Sequence, residues 1–410
     1  MTQHRFMKSG VASVLALAAF QPLVAGDYDK TVIDDKAPVV DTTWCDVFKK
    51  NTLYKGDGFI KSVKLKGRYH GQWTSQTEDT LTGGVEGTNG YHEYDHRRFR
   101  LGTEIEMAND LTFVGILNIA DGTGGTGFHG LTNGTFFDDI DDFYLTWEPN
   151  DDFYVTVGKT KQLILREFET SSNNILTVER SPITSSVVSS KPWGAMVGFK
   201  ALGLKNEVGA WIGGADRDAD GERWDWPDFD SRGSATYRGS FDLTEATSIH
   251  FDYQFTNTSD GTAAANGSAD TNLGSAFEHV AAIGTETEIG QFGLITDIIA
   301  AQNGVASGAL PAGYDTWGVV LMPYYNITDK LQFVTRYAYM GEGREQRPQR
   351  YDVRQSVEDY HTFYAGLNYY LCGNNLKLMG GYEYATGGIY GAPGDEVNTG
   401  TWMLALRSSW

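Results

Sequence analysis

The sequence predicts an all-β fold: a transmembrane antiparallel β-barrel of about sixteen strands, with short periplasmic turns and long extracellular loops. Three observations predict it: an export signal at the N-terminus, segments in which apolar and polar side chains alternate, and connections that alternate between short and long. The predicted organisation is a signal peptide (1–26), a periplasmic N-terminal arm (27–58) and an outer-membrane barrel (59–410).

The first 26 residues have the pattern of a secretory signal peptide. Arg5 and Lys8 precede an apolar run over residues 11–20, and small residues at Ala25 and Gly26 precede the polar Asp27. This is the order of charged, apolar and cleavage regions in such peptides. No later run reaches the roughly 18 apolar residues of a membrane-spanning helix. We therefore expect an exported chain without transmembrane helices.

Period-two alternation of side chains begins near residue 60. Val63, Leu65 and Tyr69 alternate with Lys64 and Lys66, so one face of this segment is apolar and the other basic. A barrel wall in lipid requires an apolar outer face and a polar inner face. The predicted strands are 63–73, 98–107, 111–119, 143–148, 153–160, 193–202, 207–213, 235–243, 249–256, 278–287, 291–300, 317–325, 331–339, 362–371, 376–384 and 401–410.

The lengths of the connections distinguish a membrane barrel from a soluble β-sandwich. An outer-membrane barrel has short periplasmic turns and long external loops, whereas a sandwich has no reason to alternate them. The predicted short turns are 108–110, 149–152, 203–206, 244–247, 288–290, 326–330 and 372–375. The predicted long loops are 74–93, 121–139, 162–192, 214–231, 257–276 and 341–358.

Charge and motifs limit the function classes. The formal charge is -20 and there is no sustained basic run, so we expect no nucleic-acid partner. No catalytic motif accompanies His70, His250 or His361, and lone lumenal histidines are more often structural. An outer-membrane barrel enzyme, or a receptor or adhesin that uses the long loops, remains the alternative to a pore.

Two segments resemble a known family. The sequence YDHRRFRLG at 94–102, followed by Asn109-Asp110-Leu111, resembles the arginine-rich second strand and turn of the phosphate-selective porin O and P family. The segments VGKTK at 157–161 and VERS at 178–181 resemble that family's strand-to-loop region. The resemblance implies a trimeric sixteen-strand barrel in the outer membrane of a Gram-negative-type bacterium, a barrel of the size that the strand count also predicts.

The expected function is passive diffusion of small hydrophilic solutes, with phosphate or other anions as candidates, and without enzymatic activity or a cofactor. The expected partners are outer-membrane lipid, these solutes and further copies in a homotrimer. A weakly selective general porin is the alternative, and the charge of -20 weighs against strong phosphate selectivity.

Inward-facing basic residues are the first candidate site. Closure of the barrel is expected to bring Arg407 towards Lys64 and Lys66, while the second strand brings its arginines towards the first. Such a basic wall would offer anions successive charge-assisted hydrogen bonds. Alternatively, the cations pair with the lumenal carboxylates of Glu104, Glu106, Asp142, Asp242, Asp252 and Glu383 and brace a weakly selective pore. The predicted pore-lining residues are Lys64, Lys66, Arg68, Arg98, Arg100 and Arg407.

The third long loop, 162–192, is the longest and is the candidate constriction, because narrowing a wide barrel usually requires an inward-folded loop. Its candidate constriction residues are Arg166, Glu179, Arg180 and Lys191. The alternative is an external loop packed on a neighbouring subunit.

Residues 216–222 resemble the first half of a calcium-binding loop. Asp216, Asp218, Asp220 and Glu222 are the candidate ligands, but Pro227 occupies the position of the bidentate acid and flanking helices are lacking. A solvated acidic loop is therefore the favoured interpretation, with calcium in an extracellular loop as the minority one.

Cys45 and Cys372 are the two cysteines of the chain. Cys372 lies in a predicted periplasmic turn and Cys45 in the predicted arm, so a disulfide between them is allowed in an oxidising compartment. Two unpaired thiols are the alternative.

Overall fold

The computed structural model describes residues 45–82, 85–121, 139–188, 191–213, 226–227, 229, 233–257, 275–306, 309–344 and 356–410. The signal peptide and most of the arm lie outside the described residues. The helices are α1 (Asp46–Lys49), α2 (Arg166–Glu169) and α3 (Pro182–Val187). The strands are β1 (Thr52–Lys55), β2 (Ile60–Thr82), β3 (Val85–Met107), β4 (Leu111–Asp121), β5 (Asp139–Asn150), β6 (Phe153–Lys159), β7 (Trp193–Ala201), β8 (Leu204–Ile212), β9 (Gly233–Thr244), β10 (Thr247–Thr256), β11 (Phe277–Ile289), β12 (Phe292–Gly304), β13 (Tyr314–Thr328), β14 (Leu331–Met340), β15 (Gly343–Arg344), β16 (Ser356–Tyr370), β17 (Leu376–Ile389) and β18 (Glu396–Ser409).

The wall is a closed antiparallel barrel of 16 strands. Each strand from β2 onward pairs with its neighbour in the chain, and β18 pairs back with β2. The two-residue β15 continues the line of β14, because both pair with β16. The short β1 pairs with the start of β2. The predicted fold class is therefore confirmed.

Tight turns connect the strands at the predicted periplasmic end. Leu202 and Gly203 join β7 to β8 with φ angles of 56° and 76°, and Asn109 and Asp110 have φ angles of 61° and 60°. Positive φ at both central residues is typical of the two-residue turns whose twist matches that of a β-hairpin. Asn, Asp and Gly tolerate this conformation, and Leu202 is fully exposed there.

The prediction of a loop at 74–93 is wrong. β2 continues to Thr82 and β3 begins at Val85, so almost all of this stretch is strand. Thr74 and Gln76 are buried inside, while the outward Ser75 and Thr77 are also polar. A strand that is polar on both faces lacks the hydrophobic period by which strands are recognised in a sequence.

The two faces of the wall have opposite polarity. In β18, Trp402 and Leu404 are 61% and 58% exposed on the outside, whereas Met403 and Arg407 are buried inside. Tyrosine and histidine occupy outward positions at the border of the apolar band, as is usual at a membrane interface. Tyrosine hydroxyls hydrogen-bond histidine Nδ1 atoms in the pairs Tyr69–His96 (2.8 Å), Tyr253–His279 (2.9 Å) and Tyr337–His361 (3.0 Å). None of the helices in the described ranges is long and apolar enough to cross a membrane.

A disulfide joins Cys45 to Cys372, with 5.4 Å between the Cα atoms. Cys372 lies in the turn between β16 and β17, and Cys45 immediately precedes α1. The described end of the arm is thus covalently tied to the same end of the barrel as the short turns.

Candidate pore constriction

The loop between β6 and β7, residues 160–192, is called loop 3 below, and its described residues, 160–188 and 191–192, lie inside the barrel. One face of it is apolar and packs against inward residues of β11 to β14. Its conformation is set locally at α3, where Ser181 Oγ accepts a hydrogen bond from Thr184 N and Pro182 occupies the first turn. The buried loop residues of this contact are Ile164, Leu165, Ile183 and Val187, against Val280, Ile299, Val320 and Val334. The alternative of a loop outside the barrel is therefore wrong.

Loop 3 spans the full width of the lumen. Arg166 Nε donates to Glu286 Oε2 of β11 over 2.7 Å. Further along the loop, Glu179 Oε1 accepts from Arg97 Nε of β3 over 2.9 Å. Since β3 and β11 lie half-way round the strand order from each other, the loop joins opposite walls.

Two aspartates of the wall hold the start of α2. Leu165 N donates to Asp252 Oδ2 over 2.7 Å, and the backbone N–H groups of Arg166 and Glu167 donate to Asp297 over 3.2 and 3.1 Å. These carboxylates accept from N–H groups that a helix start leaves without intrahelical partners. Loop 3 is therefore anchored by charged acceptors on β10 and β12.

Arg336 of β14 is a second anchor, which the sequence did not single out. Its guanidinium donates to Glu167 Oε1 (2.8 Å), to Thr177 Oγ1 (3.1 Å), to the Glu179 carbonyl (2.7 Å) and to Glu383 Oε2 (2.7 Å). In the sequence Arg336 is one polar residue in an alternating strand, and nothing local marks its contact with a loop so far away along the chain.

The predicted basic wall is partly neutralised. Lys64 and Lys66 both pair with Glu104, at 2.9 and 3.2 Å, and Lys64 also pairs with Glu106. Arg100 Nη1 lies 2.7 Å from Asp141 Oδ2. Lys64, Lys66 and Arg100 therefore follow the alternative prediction, in which the cations of the wall pair with carboxylates.

The register of the barrel corrects one predicted proximity. Arg407 lies opposite His70, not beside Lys64 and Lys66, because β18 ends before it reaches that level of β2. Arg98 lies opposite His70 and Arg100 opposite Arg68, in agreement with the prediction. Register cannot be read from a hydrophobic pattern alone when strand ends are uncertain.

A bulge brings an additional arginine to the lumen side. The pairing of β2 with β3 shifts between His70 and Gly71, so that Arg97 is the extra residue beside Arg98. Both lie near Glu179: burial acts to raise the pKa of this glutamate, but Arg97, Arg98 and Arg407 outweigh it and bring the pKa to about 2. The predicted strand begins at Arg98, so Arg97 was not among the predicted pore-lining residues.

Five cations bind loop 3 through neutral oxygens; we call them the loop-bound cations. In the part of the chain that the structure describes, none of the five has a carboxylate within ion-pair distance. They are Arg68 (to Ser172 Oγ), Lys161 (to the carbonyls of 168–170), Arg180 (to the carbonyls of Glu167, Phe168 and Thr170), Lys377 (to the Ile175 carbonyl) and Arg407 (to the carbonyls of Ser172 and Val178).

All four predicted constriction residues belong to this loop inside the barrel. Lys191 pairs with Asp141 and Asp142 of β5 at 2.9 and 2.7 Å. Arg166, Glu179 and Arg180 have the partners given above.

Part of the barrel matches a family model. Residues 63–224 match the model of the phosphate-selective porin O and P family. Over these residues, which are less than half of the chain, the sequence is similar to that family. The matched part contains β2 to β8 and loop 3, and with them three of the loop-bound cations. This match and the barrel fold indicate the outer membrane of a Gram-negative-type bacterium.

Solved structures share the fold of this porin. The outer-membrane channel DcaP of Acinetobacter baumannii is 13% identical, with a TM-score of 0.55 over 87% of this chain and 99% of that one. An anion-selective porin from Comamonas acidovorans is 11% identical, with a TM-score of 0.53 over 85% and 99%. OmpF of Salmonella typhi, solved with daunomycin, is 12% identical, with a TM-score of 0.51 over 84% and 97%. No curated protein matches the chain significantly.

The predicted calcium ligands Asp216, Asp218, Asp220 and Glu222 lie outside the described residues. Within the described ranges, no group of three or more His, Cys, Asp or Glu side chains is arranged to hold a metal ion. Loop calcium thus stays a prediction, to be tested by calcium titration with a melting readout.

Proposed function

We propose that this porin passes small hydrophilic solutes by passive diffusion with a preference for anions, and that phosphate is the first anion to test. The observation that carries the proposal is the set of loop-bound cations. A cation paired with a carboxylate contributes little net potential, whereas Arg68, Arg180 and Arg407 bond to neutral oxygens and keep their full charge. A positive potential beside loop 3 would attract anions into the narrowest part of the lumen.

Three arginines lie around one carboxylate of loop 3. Glu179 is bonded to Arg97, and Arg98 and Arg407 are close enough to lower its pKa. Of these arginines, Arg407 bonds to carbonyls of loop 3 and is not paired with a carboxylate among the described residues. Arginine remains protonated at any physiological pH and offers bidentate geometry to phosphate and carboxylate groups.

A weakly selective general porin is the second candidate, and the ion pairs of Lys64, Lys66, Arg100 and Lys191 favour it. The fold alone does not choose between the two, since both an anion-selective porin and OmpF have it. The fold and the family are those of channels, and the lack of an enzymatic activity stays a prediction.

Ion selectivity in planar bilayers tests the proposal. Purified porin is inserted and the reversal potential is measured in a potassium chloride gradient, then with phosphate as the anion. Anion preference in both is expected. A reversal potential of the cation-selective sign would contradict the proposal, and a value near zero would favour the general porin.

We also propose a homotrimer, in which neighbouring copies cover the low part of the wall. β6 has 7 residues, and β7 and β8 have 9 each. A strand of 7 residues is about 23 Å long and, when tilted in a barrel, rises only about 18 Å. This is less than the roughly 25 Å of the apolar band. Contact with another copy would cover β6 to β8, so that this low part of the wall would not face lipid that is thicker than the strands are tall.

A further inference from the structure

The described arm, residues 45–55, completes the edge of the barrel at its periplasmic end. β18 stops at the level of Gly67, whose backbone exchanges hydrogen bonds of 2.9 and 3.0 Å with Trp410. Below this level the edge of β2 is paired with β1, with Thr52 opposite Lys64, and Leu65 N donates to the Asn51 carbonyl over 2.7 Å. The arm therefore occupies the place that β18 leaves open.

A cavity of about 270 Å³ lies between this arm and the lumen. The arm contributes Phe48 and Asn51 to its lining, and loop 3 contributes Asn173. The inner wall of the barrel contributes Lys66, Arg68 and Arg100. A space of this size accommodates a small anion together with several water molecules.

The cavity carries an excess of positive charge. Lys66 and Arg100 have carboxylate partners, Glu104 at 3.2 Å and Asp141 at 2.7 Å. Arg68 instead donates to the neutral Ser172 Oγ over 2.8 Å. Amide groups on the arm and on loop 3 supply further hydrogen-bond donors that do not add negative charge. The lining is therefore suited to an oxyanion.

We propose that the arm and the lumen together form an anion-holding chamber at the periplasmic mouth, and that the Cys45–Cys372 disulfide keeps the arm in place as its outer wall. The ligand class is a small oxyanion. The proposal rests on the proposed anion preference for its ligand, but the closing of the mouth by the arm does not depend on it. A tether at Cys45 restricts the arm directly before α1, which carries Phe48.

Reduction of the folded protein tests the role of the tether. Dithiothreitol supplies two electrons and two protons, so that Cys45 and Cys372 become thiols while the reagent closes into a cyclic disulfide. The probe is inorganic phosphate, added from the side of the short turns, and the readouts are chloride conductance and the phosphate concentration that blocks half of it. We expect reduction to raise the conductance and to weaken the block by about threefold or more, as a less confined site should.

The Cys45→Ser/Cys372→Ser double variant is the control, since it should resemble reduced protein and should not respond to dithiothreitol. If both thiols are labelled after reduction and yet neither conductance nor half-blocking concentration changes, the proposal is overturned.

A matched pair of arm variants tests the wall without touching the disulfide. Phe48→Ala removes a side chain that lines the chamber, and Val47→Ala alters a neighbour in α1 that is 65% exposed. We expect weaker phosphate block in Phe48→Ala and no change in Val47→Ala. Equal behaviour of the two contradicts the chamber. If the pore shows no anion preference but its conductance still rises on reduction, the proposed selectivity is contradicted. The role of the disulfide in holding the arm is then supported.

Discussion

Arg336 and Glu167 are joined across 2.8 Å inside the barrel, and the same guanidinium lies 2.7 Å from Glu383. Glu167 belongs to α2 of loop 3, whereas Arg336 and Glu383 belong to β14 and β17. One buried cation thus ties the loop to two strands of the wall. Arg336 compensates the negative charge of both buried carboxylates. The position of loop 3 therefore depends on this arginine more than on any exposed contact.

Arg336→Met is expected to release loop 3 from this wall. The substitution leaves the carboxylates of Glu167 and Glu383 without their cation, and breaking a buried pair in this way costs about 3–5 kcal/mol. We expect a larger and noisier single-channel conductance, because the loop can leave the lumen, and a lower unfolding temperature. Planar-bilayer recordings and thermal unfolding in detergent measure the two effects.

Lys61→Gln is the control for Arg336→Met, because Lys61 is exposed and, among the described residues, its ammonium group donates only to the carbonyl of Asp57. It should leave conductance and stability unchanged. Wild-type conductance in Arg336→Met would show that the other anchors hold the loop without this one.

Arg407→Gln is expected to reduce anion preference. Arg407 donates to two carbonyls of loop 3 and has no carboxylate within ion-pair distance among the described residues. No carboxylate is paired with it directly, so the loss of its charge should lower the ratio of chloride to potassium permeability by roughly twofold or more.

The control for Arg407→Gln is Lys66→Gln/Glu104→Gln, which removes one charge of each sign from an ion pair. Its reversal potential should stay close to that of the wild type. A larger shift in this control than in Arg407→Gln would mean that the carboxylate-paired wall, rather than the loop-bound cations, determines selectivity.

Lys161 is expected to make selectivity depend on pH. Burial, together with the nearby Arg180, lowers the pKa of Lys161 well below its usual value. A base with a lowered pKa loses its proton earlier as pH rises, so its positive charge disappears while ordinary lysines, with pKa values of about 10.4, keep theirs. Anion preference should therefore decrease with rising pH. Arg180, with a pKa of about 10, and Glu179, with a pKa of about 2, do not titrate near neutrality.

Reversal potentials measured between about pH 5 and about pH 9 test this dependence, and the two Lys161 variants separate its contribution from that of histidines, which also titrate in this range. Lys161→Arg should keep the preference high across the range, and Lys161→Met should give a lower preference that varies less with pH than that of the wild type. A pH step that persists in Lys161→Met would assign the titration to another group.

The sequence predicts the barrel well because each membrane-crossing strand can be recognised from its own residues. Lipid outside and water inside impose a period of two on every membrane-crossing strand, and tight turns select residues such as Asn109 and Asp110. The prediction was wrong at 74–93, where β2 and β3 project beyond the apolar band and the local signal disappears.

The site is less visible in the sequence because its contacts are long-range. Loop 3 was recognised by its length and charges, and its four candidate residues lie in the lumen. Its anchors Asp252, Asp297 and Arg336 are single polar residues in ordinary strands, and Arg97 reaches the lumen only through a bulge. Which cation meets a carboxylate and which meets a carbonyl depends on register and on the path of the loop.

Leu145→Arg is expected to disrupt the proposed trimer. Leu145 is an outward residue of β5, 40% exposed, and lies opposite Val157 of β6, at the border of the low part of the wall formed by β6 to β8. Leu321 of β13 is 43% exposed on the opposite side of the barrel and provides the matched control. An arginine that faces lipid costs up to about 2–4 kcal/mol at either position. At an interface between copies it would also be buried without a partner.

Native electrophoresis and light scattering should therefore show monomers for Leu145→Arg and trimers for Leu321→Arg. Dissociation by Leu321→Arg alone would place the interface on the tall side of the wall, and a monomeric wild type would remove the trimer proposal altogether.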